Sequence, residues 1–105
     1  MEASSLPYVI KHKQTSELYT CTMVNGYRLP YYGTKNWEYV EDAEADYAQF
    51  LVAQGEAELE EWELLELSEN QLKMCNVKLK NDPKFKLHWD EVKQSGIASI
   101  SPLIS

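Results

Sequence analysis

The chain predicts a small α+β domain, with an N-terminal three-stranded antiparallel β-meander packed against two or three α-helices. Short alternating runs rich in β-branched and aromatic residues fill Tyr8–Tyr32 and are split by Asn25-Gly26. A Glu- and Ala-rich stretch with apolar residues three and four apart follows, and Ser68-Glu-Asn-Gln71 matches the pattern that opens a helix. The 105 residues, 44% of them hydrophobic, suffice for one domain with a real core. Residues 1–105 are therefore read as one unit, with 1–7 and 96–105 as loosely ordered tails.

Tyr8–Lys13 alternates well enough for a first strand, and Gln14–Glu17 is polar turn material. Leu18–Val24 runs directly into Asn25-Gly26, the pair that suits a two-residue turn with positive φ at both positions. Such a turn pairs Val24 with Tyr27, Met23 with Arg28 and Cys21 with Pro30, and makes Gly26→Val a strained substitution. The first hairpin then pairs Lys13 with Leu18 and Ile10 with Cys21. One face of the meander gathers Tyr8, Ile10, Tyr19, Cys21, Met23 and Tyr32 and is expected to face the core. Pro30 lacks a donor and suits an edge, which leaves Leu18–Val24 as the central strand.

Trp37–Val40 reads as a short strand or as the lead into a helix from about Glu41 to Gln54. Ala43, Tyr47, Phe50 and Leu51 share one face of that helix, and Gly55 stands where a C′ residue belongs. Glu56–Leu67 favours a helix by its Glu and Leu content, with a strand over Trp62–Leu67 as the alternative. The capping box at Ser68 starts a helix that buries Leu72, Cys75 and Leu79 and stops near Pro83. Lys84–Trp89 alternates cleanly and reads as a strand.

Charge is the sharpest functional signal. From Trp37 to Leu72 the chain carries twelve of its seventeen acids and no Lys or Arg. The remaining five acids face all ten bases, so the net −7 conceals an acidic middle and a basic remainder. An acidic chain disfavours DNA and anionic membranes, and no apolar run approaches the roughly 20 residues of a membrane span. Met1–Pro7 does not resemble a secretory leader, so Cys21 and Cys75 are expected as reduced thiols in a cytoplasmic protein.

Catalytic patterns are missing: there is no phosphate loop, no dinucleotide fingerprint and no H-E-x-x-H. His12, Cys21, Cys75, His88, Asp90 and Glu91 lack zinc-type spacing, and the acid pairs lack the Ca²⁺-loop pattern. Neither metal nor cofactor is expected. Lys78, Lys80, Lys84 and Lys86, with Phe85 and Trp89, have the look of a nucleic-acid strip, but the same lysines also serve to flank a strand.

The expectation is a non-enzymatic protein that binds and regulates or inhibits a partner with a basic surface. Glu56, Glu60, Glu63 and Glu66 would form the acidic helical surface, and Tyr27, Tyr31 and Trp37 the apolar anchors. Imitation of a nucleic acid by rows of carboxylates is a special case. The alternative is a small-molecule-binding module, with a pocket between sheet and helix lined by Tyr19, Tyr32, Tyr47 and Trp62.

Overall fold

Val9 and Ile10 are neighbours in sequence, point to opposite sides of a strand, and are both fully buried. A sheet covered on both faces is thus implied by strand β1 (Tyr8–His12), which the computed structural model, describing residues 6–100, places at the centre of the fold. Along one edge β1 pairs antiparallel with β6 (Trp62–Glu66), from Tyr8 opposite Glu66 to His12 opposite Trp62. Its other edge is shared. Lys11 lies opposite Leu18 of β2 (Glu17–Leu18), while Tyr8 and Val9 lie opposite Trp37 and Asn36 of β5 (Asn36–Trp37). Beyond β2 come β7 (Phe85–Asp90) and the edge strand β8 (Ser95–Ile100), again antiparallel.

Between β2 and β5 the chain leaves this sheet at Tyr19 and forms a separate two-stranded ribbon, β3 (Thr20–Val24) and β4 (Pro30–Thr34). The ribbon is tied down by helix α2 (Glu69–Leu79) and the turn after it: Asn76 Oδ1 accepts from the Thr34 N–H at 2.8 Å, and Asn81 Oδ1 from the Tyr32 N–H at 2.6 Å. The Tyr32 hydroxyl, 2.6 Å from Thr20 Oγ1, donates to the Phe85 carbonyl and joins ribbon to sheet.

Two cores result. On one face α2 covers Val9, Leu18, Leu67, Leu87 and Trp89 with Cys75 and Leu79. On the other, helix α1 (Val40–Ala53) lays Leu51 and Phe50 on Ile10, Trp62 and Tyr19. Among the described residues the fold is mixed α+β, with two helices and about eight strands in antiparallel sheets, and is mostly sheet.

Several expectations are corrected. The three-stranded meander does not form, because the central strand is β1 rather than Leu18–Val24, and a core face on one side only is replaced by burial on both. Leu18 pairs with Lys11, not Lys13. The stretch 56–67 is no helix: a 3-10 turn (Leu59–Glu61) leads into β6, whose side chains on both faces are used by the sheet. Cross-strand pairing overrides the helical propensity of Glu here, and Glu63 is accommodated because Lys11 Nζ stands 2.9 Å from its carboxylate. Of the tail expected at 96–105, residues to Ile100 form β8; 1–5 and 101–105 lie outside the described residues.

The ribbon turn is also longer than expected. Val24 pairs with Pro30, so five residues, Asn25 to Leu29, close it. Asn25 Oδ1 accepts the N–H groups of Tyr27 and Leu29, and the Asn25 N–H donates to the Leu29 carbonyl at 3.0 Å. With that side chain closing the loop, positive φ falls on Arg28 (64°) rather than Gly26. Gly26→Val is therefore expected to leave the melting temperature within the usual scatter of a surface change, about 0.5 kcal/mol. Arg28→Gly should raise stability by up to about 1 kcal/mol, since an L-residue is strained in this region and glycine is not. A thermal melt of the two variants tests both; a large loss from Gly26→Val restores the two-residue turn.

The helix ends follow local chemistry. At the end of α1 the Gly55 N–H donates to the Val52 carbonyl and the Glu56 N–H to that of Leu51, with Gly55 at φ 89°, a Schellman closure. At the start of α2, Ser68 Oγ accepts from the Gln71 N–H and Gln71 Oε1 from the Ser68 N–H, the capping box in full.

Candidate functional site

The twelve acids of 37–72 come from α1, the loops on either side of it, the 3-10 turn, β6 and the start of α2. Among the described residues only Glu63 of these is ion-paired, with Lys11. Six of the others fall into two groups. Burial, followed by the carboxylates of Glu66, Glu44 and Glu41, pushes the Tyr8 phenol above its ordinary value, so acids from β6 and α1 act on the same group. At the other end of α1, Glu56, Glu58 and Glu61 line a cleft of about 250 Å³ with His12 and Trp62. Burial and then Glu56 likewise raise the Tyr19 phenol. His12 serves the turn after β1: its Nδ1 accepts from the Gln14 and Thr15 N–H groups, and its ring meets Trp62 edge-on at 4.9 Å.

The four glutamates expected on one helical surface are thus dispersed. Glu56 is in the loop after α1, Glu60 on the exposed 3-10 turn, and Glu63 and Glu66 on opposite faces of β6. Of the aromatic anchors, Tyr27 is 86% exposed at the ribbon tip, beside the exposed Val24 and Leu29. Tyr31 is half-buried along β4. Trp37, in β5, donates from Nε1 to Asp46 Oδ2 at 3.1 Å and meets Phe50 edge-on. Tyr19, Tyr47 and Trp62 pack together on the α1 side, while Tyr32 lies on the α2 side and cannot share a pocket with them.

The basic strip is spread as well. Lys78 Nζ donates to the Gly96 carbonyl at 2.7 Å, Lys80 lies over the Phe85 ring, and Trp89 is buried, so no stacking platform forms. Cys75 is buried under α2, whereas Cys21 is partly exposed on the ribbon, and both are free thiols with pKa values raised chiefly by burial. Among the described residues no three His, Cys, Asp or Glu side chains come together to hold a metal ion, and no helix is long and apolar enough to cross a membrane.

Sequence reasoning passed over two features. Val24 and Leu29 read as strand residues of the second hairpin, Leu29 on its outer face, and the structure exposes both at the ribbon tip beside Tyr27. Lys35 carries no local signal in the sequence beyond being the last basic residue before the acid-only segment. Its Nζ lies 4.9 Å from the Trp37 ring centroid and 4.8 Å from that of Phe50. No protein-family model matches the chain, and no curated protein or solved structure matches it either.

Proposed function

We propose that this chain is a non-enzymatic binding protein that engages a basic site on a partner protein and thereby regulates or inhibits it. One observation carries the reading: of the twelve acids between Trp37 and Leu72, a single one is ion-paired among the described residues. Unpaired carboxylates crowded into one stretch of chain repel each other, a cost that a basic partner removes. The surface differs from the helical one first expected. It is built from the outer side of α1, the 3-10 turn and the edge strand β6, and it suits a partner's lysines and arginines better than any small substrate. The exposed tip residues Val24, Tyr27 and Leu29 supply apolar area for the same partner. Imitation of nucleic acid is the narrower form of this reading.

Glu44, Glu58, Glu60 and Glu66 are exposed and without ion pairs among the described residues, and Glu63 is left intact for Lys11. Changing those four to Gln should leave the melting temperature unchanged or slightly higher. Association with a partner isolated on the wild-type chain should slow by about tenfold at low salt, and the difference should shrink as salt is added. Equal association rates for variant and wild type would remove the acidic surface from the interaction. If the partner binds DNA or RNA, competition between that nucleic acid and this chain tests the mimicry.

A further inference from the structure

The geometry points to a small-molecule site in the cleft between the ribbon and α1, for an organic anion with a flat apolar body: its charged end meets the Lys35 ammonium and its body lies along Phe50, Met23 and Tyr31. The cleft is an open groove of about 420 Å³, a volume within the range of roughly 300–1,000 Å³ that ligand pockets occupy. Its walls come from β3, β4, the segment Lys35–Asn36 and α1, so the fold assembles it from parts distant in sequence.

Lys35 is the residue that gives the cleft its chemistry. Its backbone is pinned, the N–H donating to the Tyr19 carbonyl at 3.0 Å. Its ammonium is held near the rings of Trp37 and Phe50, at 4.9 and 4.8 Å from their centroids. Ring quadrupoles position a cation without neutralising it. In a chain with seventeen acids, Lys35 has no carboxylate within ion-pair distance among the described residues. A half-buried, pre-positioned and unneutralised ammonium favours an anion more than a lysine in open water does, because the local dielectric is lower.

The other polar groups of the cleft are neutral and leave that position to the ligand. Thr22 offers a hydroxyl and Asn36 an amide. The Cys21 thiol is pushed up by burial, against the pull of Lys35, and so stays protonated at neutral pH rather than occupying Lys35 as a thiolate. The acidic cleft at His12 has the opposite character, and this site does not depend on what the acidic surface binds.

The test uses two dyes that share a ring system, anilinonaphthalene sulfonate and its uncharged relative phenylnaphthylamine. The wild-type chain should bind one equivalent of the sulfonate saturably. Lys35→Gln should weaken that binding by at least about tenfold, the size of one lost charge-assisted contact. Lys35→Arg should retain it, and the neutral dye should bind weakly and alike to all three proteins. A second readout needs no variant. At a sulfonate concentration ten times its dissociation constant, alkylation of Cys21 by iodoacetamide should slow by about tenfold. Equal affinity of wild type and Lys35→Gln for the sulfonate overturns the inference. So does unaltered Cys21 alkylation, or tighter binding of the neutral dye, which would mark an apolar surface such as the ribbon tip.

Discussion

Trp62→Ala is expected to lower stability by about 3–5 kcal/mol, a large share of the roughly 5–15 kcal/mol that a domain has in all. Trp62 opens β6 and is 8% exposed. It meets His12 at 4.9 Å and Tyr19 at 5.5 Å between ring centroids, both edge-on, and packs with Ile10 and Leu51 in the core under α1. Removing it opens a void bounded by β1, Tyr19, the 3-10 turn and α1, parts that cannot all close in together. Chemical denaturation of the variant reads the loss directly. A loss of about 0.5 kcal/mol or less, the size of an ordinary surface change, would mean that Trp62 is not packed here and that 62–66 is not an inner-facing strand.

That strand shows why part of the fold was legible in the sequence and part was not. Both helices announce themselves through neighbours along the chain: Gly55 closes α1, and Ser68 with Gln71 opens α2. Such signals span three to five residues and need no knowledge of the rest of the fold. The β-sheet gives no such signal. Lys11 and Glu63 are fifty-two residues apart, and nothing at either position indicates the other. Without Lys11 in view, Glu63 reads as one more solvated helical glutamate. Val9-Ile10 and Leu64-Leu65 hold the missing clue, since two adjacent apolar residues in a strand imply cover on both faces. The reading of a meander with one core face passed over it.

The candidate sites divide along the same line. Acid excess between Trp37 and Leu72 is a property of composition and survives whatever fold it takes. Which of them act on the same group is not, because Tyr8 feels Glu66 from β6 together with Glu41 and Glu44 from α1. The Lys35 cleft lay further out of reach, as Cys21, Lys35 and Phe50 belong to three separate parts of the chain. The turn at Asn25-Gly26 is where the sequence puts it, but its length differs for another reason. Its local signal was real, but the Asn25 side chain, bonded to two N–H groups of a longer loop, competes with the tight turn.

Gly96→Val is expected to cost about 3 kcal/mol, at the upper end of what overpacking a core does. Gly96 sits in β8 on the face that α2 covers, and it is buried. A Cβ there would lie 2.7 Å from Cys75 Sγ and 3.2 Å from Leu87 Cδ1, closer than atoms tolerate on the first count. Neither neighbour has room to yield, because Cys75 and Leu87 are themselves 1% and 0% exposed. The helix must therefore lift from the strand, and the Lys78 ammonium loses its 2.7 Å bond to the Gly96 carbonyl as it does. For a domain of this size each kcal/mol shifts the melting temperature by about 4–8 °C, so a fall of more than about 12 °C should be seen. The lifted helix should also open Cys75 to iodoacetamide under native conditions, where the wild-type thiol is shielded. A cycle with smaller changes separates the clash from other effects. Gly96→Ala and Cys75→Ala should each destabilise alone, and the double variant should be more stable than their sum by at least about 0.5 kcal/mol, because shortening Cys75 makes space for the new methyl. Strict additivity, with Cys75 still shielded in Gly96→Val, would show that α2 does not rest on β8 at this point.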